Sequence, residues 1–436
     1  MKSIGKRREE MSGHGRQRNT ISSQCRKESM TIKKCVIVIC LTIFALAVSF
    51  CANCEFSAEK YSKSNQEAIQ TFNTYQSSAD TPPCPSVEGG EVRNVILCIG
   101  DGMGFGHVEL ARIKTAGPAG KLNMEMMPIF GIVSTRSADS HVTDSAAAAT
   151  AMATGFKTKN GMISMLPDGR KCVTILEAAR QKSMSTGLVS TAAVTSATPA
   201  CFAAHQRSRG MQTKIAEDLL ENKVNVLIGG GRKYFLRGSA GKSEKDDLPG
   251  LIGRAKKAGY VYASNAEELE EAGGDYVLGL LASDGLTTEL PEPSLARLTG
   301  KAIEILSKNK KGFFLMVEGA QIDWAGNKQN ADDTVKQTLA FDMAVKAAVD
   351  FARTDGYTLV VVTSDHDTGG LVIRKGGADG KDVKLLWTTH GHSGRAVPLY
   401  AFGPCAGVFE GTCDNTEIPK RIAKLLGIES FPGVMK

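Results

Sequence analysis

A chain of 436 residues is long enough for one large α/β domain or two ordinary domains. An apolar fraction of 42% and a charged fraction of 23% are typical of a globular protein. The net charge of +7 belongs entirely to residues 1–34, where ten Lys and Arg face three Glu. The rest of the chain is neutral, which removes the main support for specific nucleic-acid binding, since that needs a basic surface on the folded body.

An uncharged and mostly apolar run, residues 35–52, follows this basic leader. A basic segment, an apolar core and small residues beyond it are typical of a secretory signal. The run is also close to the length of about 18–20 residues that spans a membrane. A cleaved signal, an uncleaved membrane anchor and a lipid-modified cysteine all stay open. Each predicts an exported body, in the periplasm, outside the cell or on a membrane.

Residues 53–91 are polar and predict a linker, and residues 92–436 predict one folded domain. Within that domain, short β-branched runs alternate with amphipathic helices. This alternation predicts an α/β fold with a mostly parallel central sheet and helices on both faces. Residues 238–290 are glycine-rich and charged and predict a small peripheral insertion. The predicted strands are residues 94–99, 186–190, 224–228, 312–317 and 357–363, and the predicted helices are 171–181, 212–222, 294–309 and 333–354.

The eleven cysteines show no zinc-binding spacing beyond the leader. Cys98 lies in an apolar strand and predicts a buried thiol. Cys405 and Cys413 flank a short loop, so in an oxidising compartment they form either a disulfide or two free thiols.

Two segments place polar side chains where a ligand can reach them. In NVILCIGDGMG, Asp101 follows an apolar strand, where its carboxylate binds a metal ion or stabilises a turn. In VTDSAAAATAMATG, Ser145 begins an alanine-rich helix and Asp144 precedes it. The N-terminus of such a helix can hold a phosphate, although either residue can equally serve as a helix cap.

Charged side chains follow three further segments. Arg209, beyond TSATPA, can hold two phosphate oxygens or form a surface ion pair. Glu318 and Asp323 in GFFLMVEGAQIDW follow a buried strand, where carboxylates are costly unless they are paired or bind a metal. Asp365 and His366 follow the strand of YTLVVVTSDHDTGG, where such a pair forms a metal site or a simple turn.

Thr198 in TSATPA and the imidazoles of His390 and His392 in TTHGHSGRAVPLYAFGP complete the set. A lone His is usually structural. The carboxyl ends of parallel strands meet at one edge of a sheet, however, so these side chains are expected to join the carboxylates. Together they supply a nucleophilic hydroxyl, a guanidinium, carboxylates and imidazoles for metal-assisted phosphoryl chemistry.

This combination resembles the alkaline phosphatase family over about residues 92–436. The resemblance implies hydrolysis of small phosphate monoesters through a phosphoserine intermediate, at a site with two zinc ions and one magnesium ion. It also implies a homodimer. The matching stretches, in the family's order, are IGDGMG, VTDSAAAATAMATG with KTKNG, TSATPA, GGGRKYF, VEGAQIDW, SDHDTGG and GHSG with VPLYAFGP.

By the same resemblance, Ser145 is the nucleophile and Arg209 clamps the phosphate. The metal ligands are implied in the same way. The second zinc would be held by Asp101, Ser145, Asp365 and His366, magnesium by Asp101, Thr198 and Glu318, and the first zinc by Asp323, Asn327 and His392.

Two positions depart from the family's pattern. Asn327 stands four residues after Asp323, where the family has a His, and an amide oxygen binds zinc more weakly than an imidazole does. His390, two residues before His392, could replace the missing His ligand, but the alternation of side chains along a strand disfavours this. Ser196 stands where the family has Asp or His. We therefore expect a weaker first metal site, or a different metal there such as cobalt or magnesium.

Two other functions stay open. A phosphodiesterase or sulfatase of the same superfamily would share the metal-binding Asp and His residues. A relative that binds phosphate or metal without turnover is favoured by Asn327 and disfavoured by Ser145, Arg209 and Glu318.

Overall fold

The structure, a computed structural model, describes residues 90–236, 250–289 and 292–435. Its strands are β1 (Asn94–Gly100), β2 (Ile129–Ser134), β3 (Ser185–Ala193), β4 (Val226–Gly230), β5 (Val261–Ala263), β6 (Val277–Leu280), β7 (Phe313–Gly319), β8 (Thr358–Thr363), β9 (Asp367–Thr368), β10 (Val372–Lys375), β11 (Lys384–Leu386), β12 (His392–Ser393), β13 (Val397–Phe402) and β14 (Gly411–Asp414).

The α-helices of the described residues are α1 (Phe105–Thr115), α2 (Ser145–Thr154), α3 (Ile175–Gln181), α4 (Ala197–Ala203), α5 (Gln212–Glu221), α6 (Leu251–Lys257), α7 (Ala266–Glu271), α8 (Leu295–Leu306), α9 (Gln321–Asn327), α10 (Ala331–Asp355) and α11 (Glu417–Leu425).

Ten strands form one sheet in the order β14-β2-β13-β8-β1-β7-β3-β4-β6-β5. Nine of them run in the same direction, and β13 runs antiparallel to both of its neighbours. The prediction of a mostly parallel sheet is confirmed. The pairs β10-β11 and β9-β12 form two small ribbons beside it.

Both faces of the sheet are buried, as β1 illustrates. Side chains alternate along a strand, so Val95, Leu97 and Ile99 enter one core while Ile96 and Cys98 enter the other. This double burial explains why the central strands read as continuous apolar runs. Helices α2, α3, α4, α5 and α11 cover the first face, and α1, α8 and α10 cover the second. Cys98 is a fully buried free thiol, as predicted.

The structure differs from the sequence-based boundaries by up to three residues at most ends and by more in two places. The helix predicted from Lys171 begins at Ile175, because Thr174 and Glu177 form a capping box that fixes the start. Within residues 238–290, β5 and β6 pair with the main sheet and form its far edge. With three and four residues, these strands are too short to show a period in the sequence.

Several regions for which the sequence makes predictions lie outside the described residues. These are the basic leader, the apolar run of residues 35–52, most of the linker, and residues 238–249 and 290 of the expected insertion. Among the residues that are described, no helix combines the length and the hydropathy that crossing a bilayer requires. Cys405 and Cys413 are free thiols in the structure, and Cys405 Sγ donates to the carbonyl oxygen of Gly90 at 3.4 Å.

Candidate active site

The carboxyl ends of three neighbouring strands bring the predicted carboxylates together. Asp101 follows β1 directly, Glu318 is the next-to-last residue of β7, and Asp365 lies two residues after β8. Their meeting follows from the register, because Ile99 of β1 pairs with Glu318 on one side and with Thr363 on the other. All three carboxylates are buried at this edge of the sheet.

Ser145 is the first residue of the buried helix α2. Asp144 caps this helix, since its side chain accepts from the N–H of Ala147 at 2.9 Å. The alanine run favours the helical conformation, and Gly155 ends it with a φ of 76° in the left-handed region. The nucleophile predicted from the sequence therefore lies at the positive end of a helix dipole.

Asp101, Asp365 and His366 form a group whose ligand atoms lie within 4.8 Å of one another. Nε2 of His366 lies 3.2 Å from Ser145 Oγ, 3.2 Å from Asp365 Oδ2 and 3.5 Å from Asp101 Oδ1. The N–H of Gly102 donates to the other oxygen of Asp365 at 3.0 Å. The structure thus brings together the four residues expected around the second zinc.

Asp323, His366 and His392 form a second such group. Nε2 of His392 lies 3.4 Å from Asp323 Oδ1, and its Nδ1 donates to the carbonyl oxygen of Thr143 at 2.8 Å. A neutral ring with its proton on Nδ1 has a lone pair on Nε2 for a metal ion. The rings of His366 and His392 are stacked with centroids 3.5 Å apart, so the two groups adjoin.

Asn327 lies one turn after Asp323 in α9, and its Nδ2 donates to Asp323 Oδ2 at 2.9 Å. The Thr368 hydroxyl donates to the other oxygen, Asp323 Oδ1, at 2.6 Å. An amide and a hydroxyl together therefore orient the Asp323 carboxylate. His390 is exposed and belongs to neither group. Ser196 is the N-cap residue of α4, but its hydroxyl makes no capping hydrogen bond.

Thr368 and Ser190 are two site residues that the sequence did not single out. The Ser190 hydroxyl donates to Glu318 Oε2, and Thr198 Oγ1 approaches Glu318 without reaching normal hydrogen-bond geometry. Gly102 explains the close position of Thr368, because a Cβ at its φ of +76° would lie 2.6 Å from Thr368 Oγ1. The sequence motif IGDGMG includes this glycine. Nothing in the sequence distinguishes the hydroxyls of Thr368 and Ser190, since Ser and Thr are common in buried turns.

Arg209 is linked to the start of α2, the helix of Ser145, through Asp144. Its Nη1 donates to Asp144 Oδ2 at 3.1 Å, and the same oxygen accepts from the N–H of Gly161 at 3.0 Å. Burial opposes its charged form, but the charges of Asp144 and Asp101 outweigh burial and raise the pKa of Arg209. The Arg209 side chain is 40% exposed, so other N–H groups of the guanidinium are accessible to a phosphate.

The negative charges of the site repel one another. Burial, followed by the charge of Asp365, raises the pKa of Asp101 well above its ordinary value. Burial also raises the pKa of Glu318 to about 7. For Asp323 burial acts in the same direction, but the combined effects of His392, His366 and Thr368 outweigh it and the pKa is lowered. A cation bound among these groups would relieve the repulsion.

Three oxygen atoms at this edge are buried without a hydrogen-bond partner: Asp101 Oδ1, Asp365 Oδ2 and Thr198 Oγ1. An unpartnered buried carboxylate oxygen is costly in a protein that binds nothing there. Carboxylate and hydroxyl oxygens are ligands of magnesium, and carboxylates with imidazoles are ligands of zinc. The donor set therefore fits divalent cations.

The raised pKa of Glu318 predicts that the metal-free protein loses stability as the pH rises. With a pKa of about 7 in the folded state and 4.5 in the unfolded chain, Glu318 keeps a proton on folding, so its contribution is present at low pH and lost as the pH passes about 7. After dialysis against EDTA, we expect the free energy of unfolding to fall by a few kcal/mol between about pH 5 and pH 8.5.

Chemical denaturation at the two pH values measures this fall. The variant Glu318→Gln should reduce it, because an amide does not titrate, whereas the exposed control Glu410→Gln should leave it unchanged. A fall of the same size in Glu318→Gln and in the unsubstituted protein would contradict the prediction.

Comparisons with known proteins agree with this geometry. The family model described as alkaline phosphatase matches residues 92–386. "Alkaline phosphatase 3" of Bacillus subtilis (strain 168) is 36% identical, over 77% of this chain and 89% of its own length. The structure of alkaline phosphatase from the Antarctic bacterium TAB5 superposes with a TM-score of 0.70 at 34% identity. That match covers 77% of this chain and 98% of the TAB5 chain.

A variant of the TAB5 enzyme, in which a His is replaced by Glu, has been solved with magnesium bound in its M3 site. It is 33% identical to this chain, with a TM-score of 0.69, and covers 77% of this chain and 98% of its own. The family match spans most of the folded domain and the site contains the expected nucleophile, guanidinium and metal-binding groups. The chain is therefore a phosphatase that belongs to the alkaline phosphatase family.

Proposed function

We propose that this protein hydrolyses phosphate monoesters to an alcohol and inorganic phosphate through a phosphoseryl intermediate on Ser145. The observation that carries the proposal is the position of the Ser145 hydroxyl. It lies at the N-terminus of α2, 3.2 Å from His366 Nε2 and beside buried carboxylates with unpartnered oxygens. Arg209 is held on the other side through Asp144.

Each residue acts where the geometry places it. Ser145 Oγ would attack phosphorus in line with the ester oxygen, and the serine proton would pass to solvent. The P–O bond to the leaving group breaks, and the alcohol takes a proton from water. A water molecule then attacks the phosphoserine, which returns the hydroxyl to Ser145 and releases inorganic phosphate. The Arg209 guanidinium and the positive end of α2 hold the phosphoryl oxygens throughout.

The metal ligands are proposed from the donor set. Asp101, Asp365, His366 and Ser145 would hold one zinc, Asp323, His392 and Asn327 another, and Asp101, Thr198 and Glu318 a magnesium. Bound there, the cations would lower the pKa of the Ser145 hydroxyl and offset charge that develops on the phosphoryl oxygens. Magnesium in the TAB5 variant supports the presence of a magnesium site in this family.

Replacing Ser145 tests the proposed nucleophile. We expect Ser145→Ala to lower kcat for a simple aryl phosphate on the order of 10³-fold or more, since no other group can form the intermediate. The control Ser307→Ala, in the turn that ends α8, should keep full activity. Steady-state rates on the zinc- and magnesium-loaded protein give the answer, and activity retained by Ser145→Ala would move the nucleophile elsewhere.

The same assay separates the other two candidate functions. A phosphodiesterase or sulfatase would prefer an aryl diester or an aryl sulfate over the monoester. A relative without turnover would bind inorganic phosphate and release no product, and Asn327 is the feature that favours it. Retention of Ser145, Arg209 and Glu318 in one site favours the monoesterase.

Asn327 predicts weak zinc binding beside Asp323. Its amide N–H₂ donates to Asp323 Oδ2, and an amide oxygen is in any case a weaker zinc ligand than an imidazole. We expect Asn327→His to raise the zinc content by up to one ion per chain and to raise activity at limiting zinc. Elemental analysis after zinc or cobalt addition measures the effect. A variant that gains neither zinc nor activity would show that Asn327 does not limit this site.

We also propose export, because the basic and apolar leader precedes a neutral folded body. From the family resemblance alone, we also propose a homodimer. Cell fractionation and N-terminal sequencing of the expressed full chain test the location. Recovery of the unprocessed chain in the cytoplasm alone would contradict export, whereas an intact leader in the membrane fraction would identify an anchor.

A further inference from the structure

The short segment that carries Arg209, residues 205–209, is fixed by pairing with residues 161–164. Ile163 and Gln206 form an antiparallel bridge, with N–H···O distances of 2.9 and 3.1 Å. The N–H of Arg209 donates to the carbonyl oxygen of Gly161 at 2.8 Å. The backbone position of the phosphate-binding side chain therefore depends on what holds this small ladder.

His205, the first residue of the segment, holds it from inside the protein. Its Nδ1 lies 3.0 Å from the carbonyl oxygen of Ser164, and its Nε2 lies 2.9 Å from Glu177 Oε1. His205 is 7% exposed and Glu177 is 3% exposed, so solvent does not compete for these bonds. Burial raises the pKa of Glu177, but the hydrogen bond and charge of His205 outweigh it and the pKa is lowered.

Both partners of the imidazole are hydrogen-bond acceptors. The carbonyl oxygen of Ser164 faces one ring nitrogen and the Glu177 carboxylate faces the other. Contacts at both ends of a buried ring fix its orientation, which makes His205 a rigid joint rather than a filler of the core.

This joint also reaches the helix of the nucleophile. The N–H of Ser164 donates to Thr150 Oγ1 at 2.9 Å, and Thr150 lies in α2, which begins at Ser145. Glu177 belongs to α3, where its other oxygen accepts from the N–H of Thr174 at 2.9 Å. His205 thus connects the Arg209 segment, the Ser145 helix and α3.

We propose that His205 and Glu177 are positioning residues for Arg209, which set the guanidinium at its working distance from Ser145 without touching the substrate. This inference rests on the proposed function, in which Arg209 holds the phosphate. It differs from a role in stability alone, because its effect must pass through the Arg209 side chain.

A double-mutant cycle on the metal-loaded protein tests the proposal. The readouts are the Kd of inorganic phosphate and kcat/KM for an aryl phosphate. We expect Arg209→Ala to weaken phosphate binding about 10- to 100-fold. His205→Ala should weaken it about 10-fold in the unsubstituted background and less than about 2-fold in the Arg209→Ala background. His205→Gln, which keeps one donor, should fall between His205 and His205→Ala.

The matched control is Asp342→Asn on the other face of the sheet. Asp342 is buried and accepts from the side chain of Asn123 at 2.6 Å and from the N–H of Met124 at 2.9 Å. Asp342→Asn should lower the Tm, as His205→Ala does. Unlike His205→Ala, it should leave the Kd for phosphate unchanged. If His205→Ala does not fold, Glu177→Ala carries the same cycle, because it removes the carboxylate that faces Nε2 of His205.

Each outcome decides between distinct conclusions. A loss of phosphate affinity that disappears in the Arg209→Ala background supports the positioning role. Equal losses in both backgrounds, or a lower Tm with an unchanged Kd, overturn it and leave the phosphatase proposal standing. A metal-loaded protein that neither binds phosphate nor hydrolyses the ester overturns both.

Discussion

Four buried carboxylates, those of Asp101, Glu318, Asp323 and Asp365, lie at a single edge of the sheet, where burial and the charges of the other three raise the pKa of Asp101. Their repulsion is the constraint on which the rest of the site depends. The chain relieves it only in part, through His392 beside Asp323 and through Ser190 beside Glu318. One oxygen each of Asp101 and Asp365 has no hydrogen-bond partner, which destabilises the fold but leaves these atoms free to bind a cation. Burial thus opposes ionisation of these carboxylates and leaves their oxygens available to a cation.

The sequence was sufficient for the features that follow from strand direction. Apolar runs that end at Asp101, Glu318 and Asp365 predict one shared edge, and the register of β1 with β7 and β8 confirms it. The sequence was insufficient where a contact depends on a single hydroxyl, as at Thr368, or on the direction of an amide, as at Asn327. The sequence did not predict the edge strands β5 and β6. They are strands because β6 pairs with β4 and β5 pairs with β6, not because of their own composition.

Ser145 and Arg209 are 64 residues apart in sequence, and the small side chains of α2 allow the segments that carry them to pack closely. Every residue of α2 is buried, and most are alanines, so α4 packs closely against it. Asp144 then acts from both sides, as the cap of α2 and as the acceptor for Arg209. The packed backbone of α2, α4 and the Arg209 segment therefore sets the positions from which the side chains of Ser145 and Arg209 extend.

The order of the strands also dictates when the polypeptide can finish folding. Strand β2 (Ile129–Ser134) lies between β13 and β14, and both of these come from residues 397–414 of a 436-residue chain. Until those residues have been synthesised, β2 lacks both of its sheet neighbours. A chain threaded N-terminus first through a translocation channel would therefore remain open along this edge until its last strands emerge. Late closure of this kind delays assembly of the His392 side of the site until the last strands of the chain are available for pairing.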